Sequence, residues 1–213
     1  MLQAHAIQTH VCLAFFFGER PLKLLIIDNV DSFTYNLVQM FLGLKLAVKV
    51  CRNNRTDIPE LCRFDPDLIL ISPGPKDPSQ SGISPAVIHH FHSTVPIVGV
   101  CLGLQCLNEY FGGLTIRAAL PVHGKTSRVE HTGQGLLKDV PNPFLGARYH
   151  SLQVKPARGS PLQVTAQSDD GVIMAMEHDH LPLYGVQFHP ESFLSEHGEM
   201  IISNFLQQSP RRS

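Results

Sequence analysis

No apolar run in this sequence approaches the roughly 20 residues that a membrane span requires. Net charge is nearly absent, at −1 with 16% charged residues, so no electrostatic footprint for nucleic acid or an acidic membrane is visible. There is no C-x-x-C pair. The five cysteines are odd in number and scattered, which argues against a disulfide framework and for reduced thiols in the cytoplasm. Of the 12 histidines, His89, His90 and His92 share an expected helix, and His178 and His180 sit near a turn. None has the i, i+4 pairing of a helical zinc site, and no carboxylate cluster accompanies them, so no metal is expected. Neither an internal repeat nor a linker interrupts the chain.

What is present suits one globular domain. With 213 residues and 43% hydrophobic composition, such a chain buries about 70% of its unfolded surface and needs no disulfide or metal to hold it. Residues 1–21 read as a poorly ordered leader. The apolar Val11–Phe17 stretch is short, no Lys or Arg precedes it, and Gly18-Glu19-Arg20-Pro21 follows in place of a small-residue cleavage site, unlike a secretory signal. The domain is expected over 22–208 and a tail over 209–213.

From Leu22 onward, β and α patterns alternate. Leu24–Ile27, Ala47–Cys51, Leu68–Ile71 and Ile97–Val100 read as buried strands. Helices are expected from Asp31-Ser32 to Gly43, over Ile58–Phe64, from Ser84 to about His92, and from Leu102 to Gly112-Gly113. Past Gly113, short segments (Leu114–Ala118, Thr126–Glu130, Arg148–Val154, Leu162–Ala166, Val172–Met176) read as antiparallel strands. A last strand, Leu183–Phe188, and a helix from Glu196 to about Gln207 follow. The rhythm predicts an α/β fold: a doubly wound, largely parallel, flavodoxin-like three-layer sheet with an antiparallel extension. Ligands bind beyond the carboxyl ends of such strands, so Asp28, Gly74 and Cys101 should face one crevice.

Gly99-Val100-Cys101-Leu102-Gly103 is the thiol counterpart of a G-x-S-x-G nucleophile elbow. A sharp strand-to-helix turn needs small neighbours. It sets the sulfur at the start of a helix, where the N–H of Leu102 can receive an oxyanion. A buried cysteine is more often a small hydrophobe, so a base must be found elsewhere. The last strand ends in His189, and Glu191 lies two positions on, able to fix the imidazole's tautomer and orientation. Pro73-Gly74-Pro75-Lys76 forms a rigid turn whose exposed N–H groups suit a carbonyl oxygen or carboxylate.

Taken together, Gly99–Gln105, Ser72–Pro75, Arg148–Leu152 and Gln187–Ser192 resemble the motifs of class I (triad-type) glutamine amidotransferases. Asp28–Leu37 and His123–Ser127 narrow the resemblance to the small subunits of chorismate-using synthases, and it runs from about Lys23 to Gln207. The resemblance implies Cys101 as nucleophile, His189 as base and Glu191 as the residue orienting that base. It implies glutamine contacts at Gly74, Pro75, Lys76, Leu102, Gln105, Ser151 and Leu152. It further implies ammonia channelled to a larger chorismate-binding subunit, with no cofactor here and magnesium only in that partner.

Three departures stand out. Leu104 replaces a common His or Met, Lys76 stands where many relatives have Gly, and Val30 replaces a frequent Tyr. Ile71–Pro75, Arg117-Ala118-Ala119 and Gly185–Glu196 look closer to the folate-branch (aminodeoxychorismate) subunit than to the tryptophan-branch (anthranilate) one; a subunit shared by both is the alternative. Two other classes fit less well. An α/β-hydrolase usually places its acid before the histidine. A catalytically silent docking subunit would have no need of the intact Cys101, His189 and Glu191, although Lys76 keeps that reading open.

Overall fold

The structure, a computed structural model, describes residues 20–42, 44 and 46–209. The expected leader and tail lie almost wholly outside the described residues, as does Gly43, expected to end the first helix.

Strands β1 (Lys23–Asp28), β2 (Ala47–Arg52), β3 (Leu68–Ile71), β4 (Ile97–Val100) and β9 (Leu183–Val186) form the parallel part of one sheet, ordered β2-β1-β3-β4-β9. The sheet continues antiparallel through β8 (Ile173–His178), β7 (Leu162–Ser168), β5 (Leu114–His131) and β6 (Phe144–Lys155). Strand alternation divides the core. Leu24, Ile26, Leu68, Leu70, Val98 and Val100 turn to the face covered by α1 (Thr34–Leu42) and α5 (Gly198–Leu206). Leu25, Ile27, Ile69, Ile71 and Ile97 turn to the face covered by α2 (Ile58–Phe64), α3 (Ser84–Phe91) and α4 (Leu102–Tyr110). Being buried on both faces is why these strands are continuous apolar runs.

Helix α2 shows how local sequence sets an element. Asp57 caps it, accepting from the Glu60 N–H at 2.8 Å, Pro59 occupies its first turn, and Asp65 closes it in the left-handed conformation.

The antiparallel half departs from expectation at one place. The segments expected as separate strands, Leu114–Ala118 and Thr126–Glu130, belong to a single 18-residue strand, β5. It pairs with β6 through register shifts between Arg117 and Val122 and between His123 and Lys125. The intervening residues are mostly exposed and include Pro121 and Gly124. They therefore carry no alternation of apolar and polar residues to mark them as strand.

The sheet curls so that β6, at its end, returns to the segment after β9. The His189 N–H donates to the Ala147 carbonyl at 3.0 Å, and the Glu196 N–H to that of Leu145 at 2.9 Å. A parallel strand end and an antiparallel strand middle thereby reach the same crevice.

Candidate active site

The crevice lies at the carboxyl ends of β1, β3, β4 and β9, beside the point where the strand order reverses between β1 and β3. The loops after β1 and β3 are pinned together by Asn29. Its backbone N–H donates to Ser72 Oγ at 2.9 Å, its side-chain amide donates to the Ser72 carbonyl at 2.9 Å, and its Oδ1 accepts from Ser84 and Asn53. Gly74 rests where this loop meets α4. A Cβ there would come within 2.6 Å of both Asn29 Cβ and Leu102 Cδ2. The loops bearing Asp28, Gly74 and Cys101 do meet, as the strand order requires.

Cys101 occupies the elbow with φ 52° and ψ −99°, a backbone region that L residues seldom enter. The two glycines of the motif are explained by contact. A Cβ at Gly99 would collide with the backbone of Gly103, and one at Gly103 with the carbonyl of Ile71. Helix α4 therefore starts pressed against β3 and β4, with Leu102 in its first position. The first N–H groups of a helix lack intrahelical acceptors, so the amide of Leu102 is a donor suited to an anion beside the sulfur.

His189 and Glu191 follow β9, next to β4 in the sheet. His189 Nδ1 and Glu191 Oε1 are 2.7 Å apart, and both side chains are almost fully buried. A carboxylate only accepts, so Nδ1 carries a proton that it donates to Glu191, and Nε2 is the nitrogen left to exchange a proton with the sulfur. Nε2 makes no hydrogen bond of acceptable geometry, although it lies close enough to the Cys101 sulfur for the two to interact. Burial is the largest influence on the imidazole and opposes its charge. The Cys101 sulfur and the Glu191 carboxylate together outweigh it, and the pKa rises to about 10. The ring is held edge-on by Tyr149 and Phe33, at centroid distances of 5.1 and 5.5 Å.

Ser151 and Leu152 lie on β6 just beyond Tyr149. A buried relay shapes this part of the strand. Arg148 Nε donates to His150 Nε2 at 3.1 Å. Since Arg cannot accept, the His150 proton sits on Nδ1, which donates to the Leu152 carbonyl at 2.8 Å. Arg148 itself is anchored by Ser127 and Asp170 at 2.9 Å. Pro75 and Lys76 are exposed at the rim, and Lys76 has φ 71°.

Gln105 is buried one helical turn beyond Cys101. Beside it stands Gln187, which opens the motif Gln187–Ser192 but to which the resemblance assigns no role in the site. Gln187, fully buried, donates from Nε2 to Cys101 Sγ at 3.3 Å and accepts from Gln105 Nε2 at 3.4 Å. The available signal was an amide interrupting the apolar run Leu183–Phe188, which is costly to bury without partners.

Comparison with known proteins shows the family and the fold. Residues 25–209 match the family described as glutamine amidotransferase class-I. The chain is 48% identical over 190 residues to anthranilate synthase component 2 of Azospirillum brasilense, covering 88% of this chain and 97% of that one. It is 49% identical over 185 residues to aminodeoxychorismate synthase component 2 of Klebsiella aerogenes, covering 86% and 98%. In fold it is similar to a glutamine amidotransferase from Thermotoga maritima, with TM-score 0.74 and 14% identity over 90% of this chain and 99% of that one. The chain belongs to the class-I glutamine amidotransferases.

Proposed function

We propose that this chain is the glutaminase subunit of a chorismate-aminating synthase, with Cys101 as nucleophile, His189 as general base and acid, and Glu191 orienting the imidazole. The observation that carries the reading is the 2.7 Å His189–Glu191 pair beside the sulfur at a strained elbow. Three groups from two adjacent strand ends, Cys101 after β4 and His189 with Glu191 after β9, converge there as a thiol hydrolase requires.

The chemistry balances with side chains alone. His189 takes the thiol proton, and the thiolate attacks the side-chain carbonyl carbon of glutamine. The oxyanion is received by the N–H of Leu102 and by the loop at Gly74, Pro75 and Lys76. The C–N bond then breaks, and the imidazolium gives its proton to the departing ammonia. Water, deprotonated by His189, cleaves the glutamyl thioester to glutamate and restores the thiol. The backbone of Ser151 and Leu152 holds the α-amino and carboxylate ends of the substrate, Gln105 lines the site, and the Arg148–His150 relay fixes the carbonyl of Leu152 for that task. Ammonia passes to the larger subunit, where we also place the magnesium. The setting is cytoplasmic. Among the described residues no helix is long and apolar enough to cross a membrane.

For the branch we favour aminodeoxychorismate over anthranilate, on the loop motifs at Ile71–Pro75 and Gly185–Glu196. The two named relatives are similar to the chain at 49% and 48% identity and do not separate the branches. A subunit serving both is the alternative.

The test is glutamate release from glutamine, with and without the partner synthase. Cys101→Ala should abolish it while ammonium-driven amination by the assembled complex survives. Persistent glutamate release from that variant would remove Cys101 as nucleophile. The large subunit that co-purifies with the chain decides the branch.

A further inference from the structure

We infer that Gln187 is a further catalytic residue. Its side-chain amide holds the Cys101 sulfur and donates a hydrogen bond to the anion formed on it, while Gln105 sets the direction of that amide. The inference rests on the proposed role of Cys101 and adds to it a donor outside the triad.

Four observations lead there. Gln187 immediately follows β9, between the buried residues Val186 and Phe188, and is itself fully buried. Its backbone N–H is already bound to the Met174 carbonyl at 2.8 Å, so the side chain is not needed to complete the sheet. Its Nε2 lies 3.3 Å from Cys101 Sγ. Its Oε1 receives Gln105 Nε2 at 3.4 Å, and Gln105 is bound to the nucleophile's own backbone, its N–H donating to the Cys101 carbonyl at 3.1 Å.

The direction of this chain follows from chemistry. A thiolate only accepts. With Gln187 turned end for end, its oxygen would face the sulfur anion and its NH2 would face the NH2 of Gln105. Two repulsions would replace two hydrogen bonds. In the orientation observed, each amide donates toward the sulfur. A bond from an amide N–H to an anion is about twice as strong as one between neutral groups. Gln187 therefore favours the thiolate over both the thiol and the neutral thioester. It also keeps the sulfur beside His189, whose Nε2 has no hydrogen bond to fix the separation.

A purely structural amide would affect stability but not the protonation of the neighbouring sulfur, and this separates the two roles. The experiment uses the full chain with its partner subunit, and follows iodoacetamide labelling of Cys101 across pH by peptide mass spectrometry. Gln187→Met keeps the length of the side chain and removes the donor. Gln187→Glu keeps the shape and sets a carboxylate against the sulfur. For Gln187→Met the labelling profile should move to higher pH by about one unit, and kcat/KM for glutamine should fall roughly tenfold or more. Gln187→Glu should move further in the same direction. Should neither variant fold, Gln105→Met leaves Gln187 in place but free to turn, and a smaller shift of the same sign is expected. An unmoved profile in the variants that fold overturns the inference. Cys101→Ala, run in parallel, tests the nucleophile separately. If it is inactive while the Gln187 profiles are unmoved, the triad reading stands and only the role of Gln187 falls.

Discussion

At the scale of single residues, three of the non-glycine residues with positive φ among the described residues border the crevice. Val30, Lys76 and Cys101 all have positive φ, at 63°, 71° and 52°. For Cys101 the strain accompanies the placing of its buried sulfur at the sheet edge, where Gln187 donates to it. Lys76 has no such compensation. Its side chain is exposed, and its conformation is one that glycine enters freely. The resemblance that set Lys76 against a glycine is matched by this angle, since glycine is the residue that enters it without cost. A left-handed residue other than glycine costs about 1 kcal/mol, and part of the gain from Lys76→Gly is returned by a more flexible unfolded chain. The net expectation is a stabilisation on the order of 0.5 kcal/mol, raising Tm by about 1–2 °C in a scanning calorimeter. A lower Tm would mean that the lysine stem stabilises the turn by contacts that outweigh its strain. Chemistry-bearing residues such as Cys101 and His189 were legible because their types are restricted. The strain at Val30 was not, since no local pattern announces a positive φ for a β-branched residue.

At the scale of elements, the parallel strands are legible nearly to the residue, because double burial leaves an unbroken apolar signature. The β5–β6 ribbon is legible only in pieces, and the network inside β6 is not legible at all. Arg148 and His150 stand in a recognised motif, but as alternating polar positions of a strand they give no sign of being buried against each other. Their coupling has a pH consequence. Desolvation first, and the Arg148 guanidinium second, push the His150 pKa down from 6.5 to about 4. The sign follows from linkage. Above pH 6.5 the imidazole is neutral in both states and contributes nothing. Between pH 6.5 and 4 the unfolded chain takes up a proton that the native state refuses, so stability falls with falling pH and levels off below 4. The loss attributable to this group is on the order of 3 kcal/mol. His150→Gln can still donate to Leu152 and accept from Arg148, but does not titrate. Its denaturation midpoint should fall less than the parent's between pH 6.5 and 4, with the two curves parallel above pH 7. His189 acts in the opposite sense. Its raised pKa gives stabilisation that is complete below pH 6.5 and lost as pH rises through about 10, so it leaves the acid limb alone, and the difference between parent and variant subtracts the other groups of that limb, such as His178, whose pKa burial also lowers.

At the scale of the whole molecule, the rim of the crevice is more apolar than a chain acting alone requires. Phe193 is 93% exposed, Tyr35 64% and Val30 50%. The loop that presents Val30 also carries Phe33, whose ring contacts those of Tyr149 and His189 at 4.8 and 5.5 Å. The loop that presents Phe193 carries Ser192. The Ser192 hydroxyl lies 3.2 Å from that of Tyr149, and its N–H donates to the His189 carbonyl at 3.1 Å. A partner pressing on either loop would act on the residues that orient the imidazole, which under the proposed function gives the larger subunit a direct means of gating glutamine hydrolysis. Slow glutaminase turnover is expected of the isolated chain and faster turnover in the complex. Phe193→Ser should leave the fold within about 0.5 kcal/mol of the parent, as exposed substitutions do. Removing an aromatic anchor should weaken partner binding by roughly 2 kcal/mol, about thirtyfold in Kd. Titration calorimetry against the large subunit measures the affinity, and glutamate release at saturating partner measures the stimulation that remains. Unchanged affinity together with full stimulation would place the docking surface elsewhere. Weakened affinity with full stimulation at saturation would make Phe193 an anchor only and leave the gating contact to the loop around Val30 and Phe33.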